Sequence, residues 1–390
     1  MENCAPYASR VLADPAASYP TLLDQAPVYW CRDFEPPFCI LSRYEDVEHA
    51  LRDIETFSSE FGQGPRFTPP AGMLSNPPQH TFFRRLVQQA FTPRSIEALG
   101  PRLAELAESL LDHIDPRGPW DLHDDFAFPL PVIVIAEVLG VPERDIVRFK
   151  VWSDASVEAM GAEDPTPYAA PLGEMTGYLL EQIGARRAAT EPPDDLITGL
   201  VTARADGKGL KDEEILSVLT QLLVGGNETT TSLITNAVWR LLERPERWRS
   251  LVEEPDLVDR VIEESLRYDP PVLGLFRNTA CEVRLHGETI PEGTKVLLHY
   301  AAANRDPRVF VEPAEFSLAE DRPRHLAFGL GVHFCLGAQL ARLEARTALL
   351  ALSRRFPDLQ LLGPGERIKP FFLWGRRTLP VRSGASLGNL

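Results

Sequence analysis

The 390 residues carry 40 basic and 56 acidic side chains, a formal net charge of -16, with 44% hydrophobic and 25% charged residues. That balance fits a large globular chain and argues against a nucleic-acid binder, which needs a basic face. The five cysteines, Cys4, Cys31, Cys39, Cys281 and Cys335, are odd in number and show no C-x-x-C spacing, which excludes a disulfide framework and a zinc ribbon and points to a reducing compartment.

Along the chain, the opening MENCAPYASRVLADP lacks the basic-then-apolar pattern of a signal peptide, so a cytoplasmic protein without a membrane anchor is expected. Val28-Tyr29-Trp30-Cys31 and Phe38-Cys39-Ile40-Leu41 are short apolar runs flanked by turn residues and predict strands. Residues 57–80 are rich in Gly and Pro; a loop that long inside a compact domain points to a functional segment. Residues 128–142 are the most apolar stretch. Prolines and Glu137 interrupt them, and they are too short to span a bilayer, so they predict a buried helix. Apolar residues three to four apart predict helices at 100–114, 172–188, 213–243, 256–268 and 337–355. Short strands return at 282–285, 295–298 and 379–381. With no internal repeat or low-complexity linker, the expected architecture is a single domain over residues 1–390, mainly α with a smaller β-rich portion.

The helix at 213–243 is unusual. Asp212, Glu213 and Glu214 suit the positive end of its dipole, and Arg244-Pro245 ends it. Ile215, Leu219, Leu222, Leu233 and Ala237 form one stripe, with Gly226 and Thr229 on it. Gly225 and Gly226 each cost roughly 1 kcal/mol relative to alanine in mid-helix. Either something flat or bulky presses there, or another helix packs closely through the small residues.

FGLGVHFCLG, residues 328–337, sets one cysteine among three glycines. Glycine is kept where a chain bends sharply or another group comes close. The stretch reads as backbone wrapped around something, with Cys335 pointing at it.

Three segments together resemble the cytochromes P-450: the cysteine loop is similar to their haem-binding loop, Gly225-Gly226-Asn227-Glu228-Thr229-Thr230 to their oxygen-activating helix segment, and Glu264-Ser265-Leu266-Arg267 to their Glu-x-x-Arg pair. The likeness runs from Tyr44-Glu45-Asp46-Val47 to Leu379-Pro380-Val381 and is to the soluble bacterial members. It implies the P-450 fold, with haem b (iron protoporphyrin IX) between a long central helix and the cysteine-bearing helix, and Cys335 as the iron ligand. A thiolate donates electron density to iron and favours cleavage of an O–O bond. The helix opening at Gly337 and Ala338 offers N–H groups and a dipole that favour a negative sulfur. Phe328, Gly331, His333 and Gly337 are the implied cofactor contacts of the loop, the two glycines letting backbone approach the porphyrin. His80, Arg84, Arg277 and His333 are implied as partners of the propionates; His80 and Arg84, four apart, share a helix face.

The resemblance makes Glu264 and Arg267 a structural pair and Thr229 and Glu228 the proton-delivery pair. Threonine has an alternative, bonding back to its own helix. Five residues before His325, where many members carry an arginine that joins Glu264 and Arg267, this chain has Glu320; Arg322 and Arg324 are the candidates to replace it. Substrate contacts are implied for Phe61, Phe67 and Met73 of the long loop, for Leu222 and Gly226 of the long helix, and for Val272, Leu275, Phe372 and Leu373. Arg66 reads as a surface arginine or as the anchor of a substrate carboxylate.

The implied function is a haem-thiolate monooxygenase that inserts one oxygen atom from O2 into a small-to-medium hydrophobic organic substrate. Electrons come from NAD(P)H through ferredoxin reductase and ferredoxin, and the protein acts as a monomer. The competing readings are a haem-thiolate enzyme that uses peroxide or performs coupling or rearrangement, and a haem-binding protein without turnover.

Overall fold

The computed structural model describes residues 3–68, 72–162, 164–205, 208–319 and 322–383. Its spine is the helix Asp212–Leu242, offset by one residue from the sequence expectation. The Glu214 carboxylate accepts from the Lys211 N–H (2.8 Å), three acidic residues fill the first turn, and the next helix begins at Pro245. The second half of this long helix is buried nearly all round, so its stability comes from packing on neighbours rather than from one amphipathic face.

Those neighbours position the site. The apolar stretch forms the helix Pro129–Leu139, with proline in its first turn and Gly140 at φ 80° just past its end. The expected helices at 100–114, 172–188, 256–268 and 337–355 are found as Gly100–Asp112, Ala169–Ala188, Val258–Tyr268 and Ala338–Arg355. The long Gly/Pro-rich segment contains a short strand, Phe57–Ser58, and a turn of 3-10 helix, Gly72–Leu74; it leads into the helix Gln79–Gln88. The helix Ile146–Gly161 was not anticipated. Val147 and Val151 lie exposed on it while Phe149 and Trp152 are buried, so no clean apolar stripe marks it.

The β-rich portion is one five-stranded sheet and smaller ribbons. In the main sheet the order is Val28–Cys31, Phe38–Leu41, Lys295–Leu298, Leu275–Thr279, Phe57–Ser58. Lys295–Leu298 runs parallel to Phe38–Leu41 and antiparallel to Leu275–Thr279, which sets Val296 opposite Arg277. The expected strands at 282–285 and 379–381 appear as Val283–Leu285 and Pro380–Ser383. Among the described residues, no helix is long and apolar enough to cross a membrane.

Candidate haem and oxygen-activation site

The cysteine loop closes on itself. The Cys335 N–H donates to the Phe328 carbonyl (2.9 Å) and the Phe334 N–H to the Gly331 carbonyl (3.1 Å). Gly329 (φ 65°) and Gly331 (φ 68°) take left-handed backbone that favours glycine. A Cβ at Gly331 would lie 3.0 Å from the Leu51 carbonyl oxygen, so packing on the helix Tyr44–Arg52 is a further reason for glycine here. A Cβ at Gly337 would meet nothing within 4 Å. Burial pushes the Cys335 thiol up, opposed by the Gly337 N–H and the charges of Arg84 and Arg342. Phe328 packs near Phe334 and His325, beneath the Arg342 guanidinium.

The four residues expected as propionate partners gather at this loop. Arg277 is fully buried on its strand; its Nη1 donates to the Phe276 carbonyl (3.1 Å), and its Nε has no partner among the described residues. His80 is buried with Nδ1 also unpartnered, and its ring centroid lies 4.4 Å from that of His333. Burial and then the Arg84 charge hold His80 down to about 4. Burial, Arg277, His80 and Arg84 bring His333 to about 3. Sequence reasoning missed a polar chain behind them. His333 Nε2 lies 2.9 Å from Ser59 Oγ, and the Asn76 Oδ1 accepts from the Ser59 hydroxyl (3.1 Å). Only contact across the fold reveals that chain.

On the long helix the two glycines part company. Gly226 faces the helix Pro129–Leu139, where a Cβ would meet Ile135 Cδ1 at 3.3 Å, and Leu222 is buried in the core cluster that holds Ile135. Both were expected to line the substrate space; packing on Ile135 accounts for Gly226, and Leu222 is buried in the main core. Gly225 is open, with nothing within 4 Å of a Cβ, and its carbonyl accepts the Thr229 hydroxyl (2.7 Å). Thr229 therefore makes the bond back to its own helix. Glu228 is buried, accepts from the Ser232 hydroxyl (3.3 Å), and is pushed up to about 7 by burial and then by the Asp154 charge.

Glu264 and Arg267 form a buried bidentate pair, Nε to Oε2 at 2.7 Å and Nη2 to Oε1 at 2.8 Å. Arg267 also donates to the carbonyls of Asn304 (3.1 Å), Pro313 (3.0 Å) and Glu315 (2.8 Å), and Glu264 accepts the Ser317 N–H (2.6 Å). The third member is Arg322, whose Nη1 lies 3.3 Å from Glu264 Oε2. Glu320 lies outside the described residues. Arg324 is exposed and sits over the Phe334 ring. The neighbouring Glu263, not singled out in the sequence, ties the loop to both helices. It accepts from Arg342 Nε (2.6 Å) and lies 3.1 Å from His325 Nε2.

The remaining apolar residues come from three directions. Phe61 and Phe67 are an edge-on pair on the long loop, roughly half exposed, with the Lys295 ammonium 5.0 Å from the Phe67 ring. Met73 packs on the main core, and its N–H donates to Gln221 Oε1 of the long helix (3.1 Å). Val272 bridges to Leu373 across an isolated ladder, and Phe372 and Leu373 are buried in one cluster against which Val272 packs, with Leu275 on the adjoining one. Arg66 spans from the long loop to the Ala162 carbonyl (2.7 Å), a structural role.

Known proteins share this arrangement. The sequence profile of the family described as Cytochrome P450 matches residues 174–370. Cytochrome P450 107B1 of Saccharopolyspora erythraea is 40% identical over 366 residues, covering 89% of this chain and 89% of that protein. The erythromycin C-12 hydroxylase of the same organism is 41% identical over 359 residues, covering 88% of this chain and 89% of its own. Among solved structures, ligand-free cytochrome P450 TbtJ1 superposes with a TM-score of 0.86 at 39% identity, over 95% of this chain and 98% of that one. With likeness of this extent added to a self-closed cysteine loop beside the buried Arg277 and the nearby Arg84 and Arg342, the chain belongs to the cytochrome P450 family.

Proposed function

We propose that this P450 monooxygenase holds haem b through Cys335 and oxidises a small-to-medium hydrophobic organic molecule. The observation that carries the reading is the loop that leaves the Cys335 thiol beside the Gly337 N–H and the Arg84 and Arg342 charges. Haem fits these residues. Its two propionates are the anions that the unpartnered Arg277 Nε and His80 Nδ1, with Arg84 and His333, call for. The open face at Gly337 suits a flat group against backbone. When bound, haem supplies the iron chemistry that activates O2 for insertion of one oxygen atom.

The chain's own residues do the rest. Thr229, held by the Gly225 carbonyl, presents its hydroxyl oxygen as an acceptor to water. Glu228, at about 7, carries a proton near neutrality and can give it up. That pairing favours O2 over the peroxide-driven alternative, because heterolysis of O2 consumes two protons. The exposed pair Phe61 and Phe67, with Met73, Val272, Leu275, Phe372 and Leu373, supplies apolar surface suited to a hydrophobic substrate.

We further infer that electrons arrive from NAD(P)H through ferredoxin reductase and ferredoxin, that residues 1–390 act as one domain and as a monomer, and that the protein works in the cytoplasm. The exposed arginines Arg85, Arg94 and Arg324 offer an acidic ferredoxin a local basic contact on a chain of net charge -16.

The test is the reduced, carbonyl-bound spectrum. A red-shifted Soret band that Cys335→His abolishes is expected; a band kept by that variant would assign the iron to another ligand. A compound screen for substrate-induced spin shifts then identifies the substrate class.

A further inference from the structure

Glu228 also forms the inner wall of a cleft of about 80 Å3. The other walls come from separate elements. The helix Ile146–Gly161 contributes Asp154 and Glu158, with Lys150 acting on Glu228 from one turn earlier. The segment at 366–369 contributes Glu366, Arg367 and Lys369, and the strand Arg376–Thr378 contributes Arg377. Most of these charges are committed to one another. Lys369 pairs with Glu158 (2.8 Å), and Arg367 is turned to the carbonyls of Leu12, Pro370 and Leu373. Arg377 donates to Asp154 Oδ2 (3.1 Å) and reaches Asp124 (3.5 Å), which Lys150 also contacts (3.0 Å).

Exposure falls in one direction through the cleft. The side chains of Arg377 and Asp154 are 37% and 24% exposed, and Glu228 is 5% exposed. A cleft of this volume with charged side chains on its walls has room for a few water molecules. Glu158 and Glu366 also touch both solvent and the cleft, but Glu158 is paired with Lys369, and Asp154 is the wall carboxylate whose charge acts on Glu228.

We propose that Asp154 takes protons from solvent and reloads Glu228 through this cleft, with Arg377 as the residue that positions Asp154. The proposal rests on the reading of Glu228 as the proton source of the reaction. Each step moves one proton and no electrons. A solvent acid protonates the Asp154 carboxylate. The Asp154 carboxyl then protonates the Glu228 carboxylate that the previous delivery left behind, directly or through a cleft water. Asp154 returns to its ionised form, ready for the next solvent proton. The two groups suit such an exchange. Burial raises Asp154 against the pull of Arg377 and Lys150, and the Asp154 charge in turn raises Glu228, so they titrate as a coupled pair.

The experiment compares haem-loaded Asp154→Asn, Asp154→Glu, Arg377→Gln and Glu228→Gln, supplied with surrogate ferredoxin and reductase and the compound giving the largest spin shift. Asp154→Asn should slow NADH-dependent turnover about tenfold at pH 8, raise its solvent isotope effect, and be rescued by formate, an acid small enough for the cleft. Asp154→Glu should recover most of the rate. A second measurement needs no turnover: the infrared carbonyl band of protonated Glu228 should titrate near neutrality in the parent protein, at lower pH in Asp154→Asn and at higher pH in Arg377→Gln. A parent-like rate, isotope effect and titration midpoint in Asp154→Asn would overturn the proposal. The underlying reading fails separately: if Glu228→Gln couples NADH to product as the parent does, Glu228 is not the proton source. Should Asp154→Asn fail to load haem, the midpoint in Arg377→Gln decides, and an unchanged value counts against the relay.

Discussion

Arg267 and Arg322 reach the same Glu264 carboxylate from different depths, and removing them should cost very different amounts. Arg267→Ala deletes both arms of a pair whose side chains are 2% exposed, together with three bonds to the carbonyls of Asn304, Pro313 and Glu315. Glu264 is then left with the Ser317 N–H at 2.6 Å and Arg322 at 3.3 Å. Breaking a buried pair by removing one partner costs about 3–5 kcal/mol. Arg322→Ala leaves the bidentate pair intact and removes one contact from a side chain that is 19% exposed. Its cost should sit near the upper end of exposed pairs, about 1 kcal/mol. Glu264→Ala falls between, because Arg267 keeps its three carbonyl acceptors. The assay is melting temperature with haem content for the three variants side by side. The expected order of damage is Arg267→Ala, then Glu264→Ala, then Arg322→Ala. An Arg322→Ala protein as poor in haem as Arg267→Ala, or an Arg267→Ala protein that melts like the parent, would refute the reasoning.

Thr229→Ala should keep the substrate-induced spin shift but divert electrons to peroxide, read as product formed per NADH consumed; unchanged coupling would assign the hydroxyl role elsewhere. Gly225→Ala meets open space and should stabilise the helix by up to about 1 kcal/mol, while the same change at Gly226 meets Ile135 and should be neutral or destabilising; equal shifts in melting temperature would contradict the geometry. Burial opposes ionisation of Glu263, but His325 and Arg342 hold it at about 2, so its stabilisation is present above the ordinary carboxylate value and is lost as pH falls toward 2. Glu263→Gln should therefore narrow the melting-temperature gap to the parent as pH drops from about 5. Reduction by an acidic ferredoxin should slow with ionic strength and slow further in Arg324→Glu at low salt, measured by stopped flow; indifference to both would place the partner on another face.

What the sequence disclosed and what it withheld divide by range. The cysteine loop was legible because its features are local: a cysteine, the glycines of its turns and the helix start whose N–H faces the sulfur lie within ten residues. Glu264 and Arg267, three apart on one helix, were legible for the same reason. Arg322 was one of two candidates to join Glu264, 58 positions away, and only the fold decides between them; Ser59, Asn76 and Asp154 were not identified as partners, because they meet residues 274, 17 and 74 positions away only through a fold that brings loop and helix together.

The pair Gly225-Gly226 shows the limit most sharply, since periodicity did see it and still misplaced its meaning. Counting along one stripe put Gly226 with Thr229, three residues on, and left a choice between a flat group and a packed helix. The packed helix accounts for Gly226 alone, and Gly225, a helical step of about 100° away, meets nothing within 4 Å. Gly226 is small because Ile135 stands 3.3 Å from where its Cβ would be, while Gly225 lies one turn before Thr229 and accepts its hydroxyl through a carbonyl on the open side. A stripe drawn from apolar residues follows the core, and the face on which Gly225 accepts the Thr229 hydroxyl is the one the core does not cover. Sequence periodicity therefore locates such a face only by subtraction, as the sector where small and polar residues recur four apart, and the neighbour needed to subtract correctly, Ile135, is supplied by another helix.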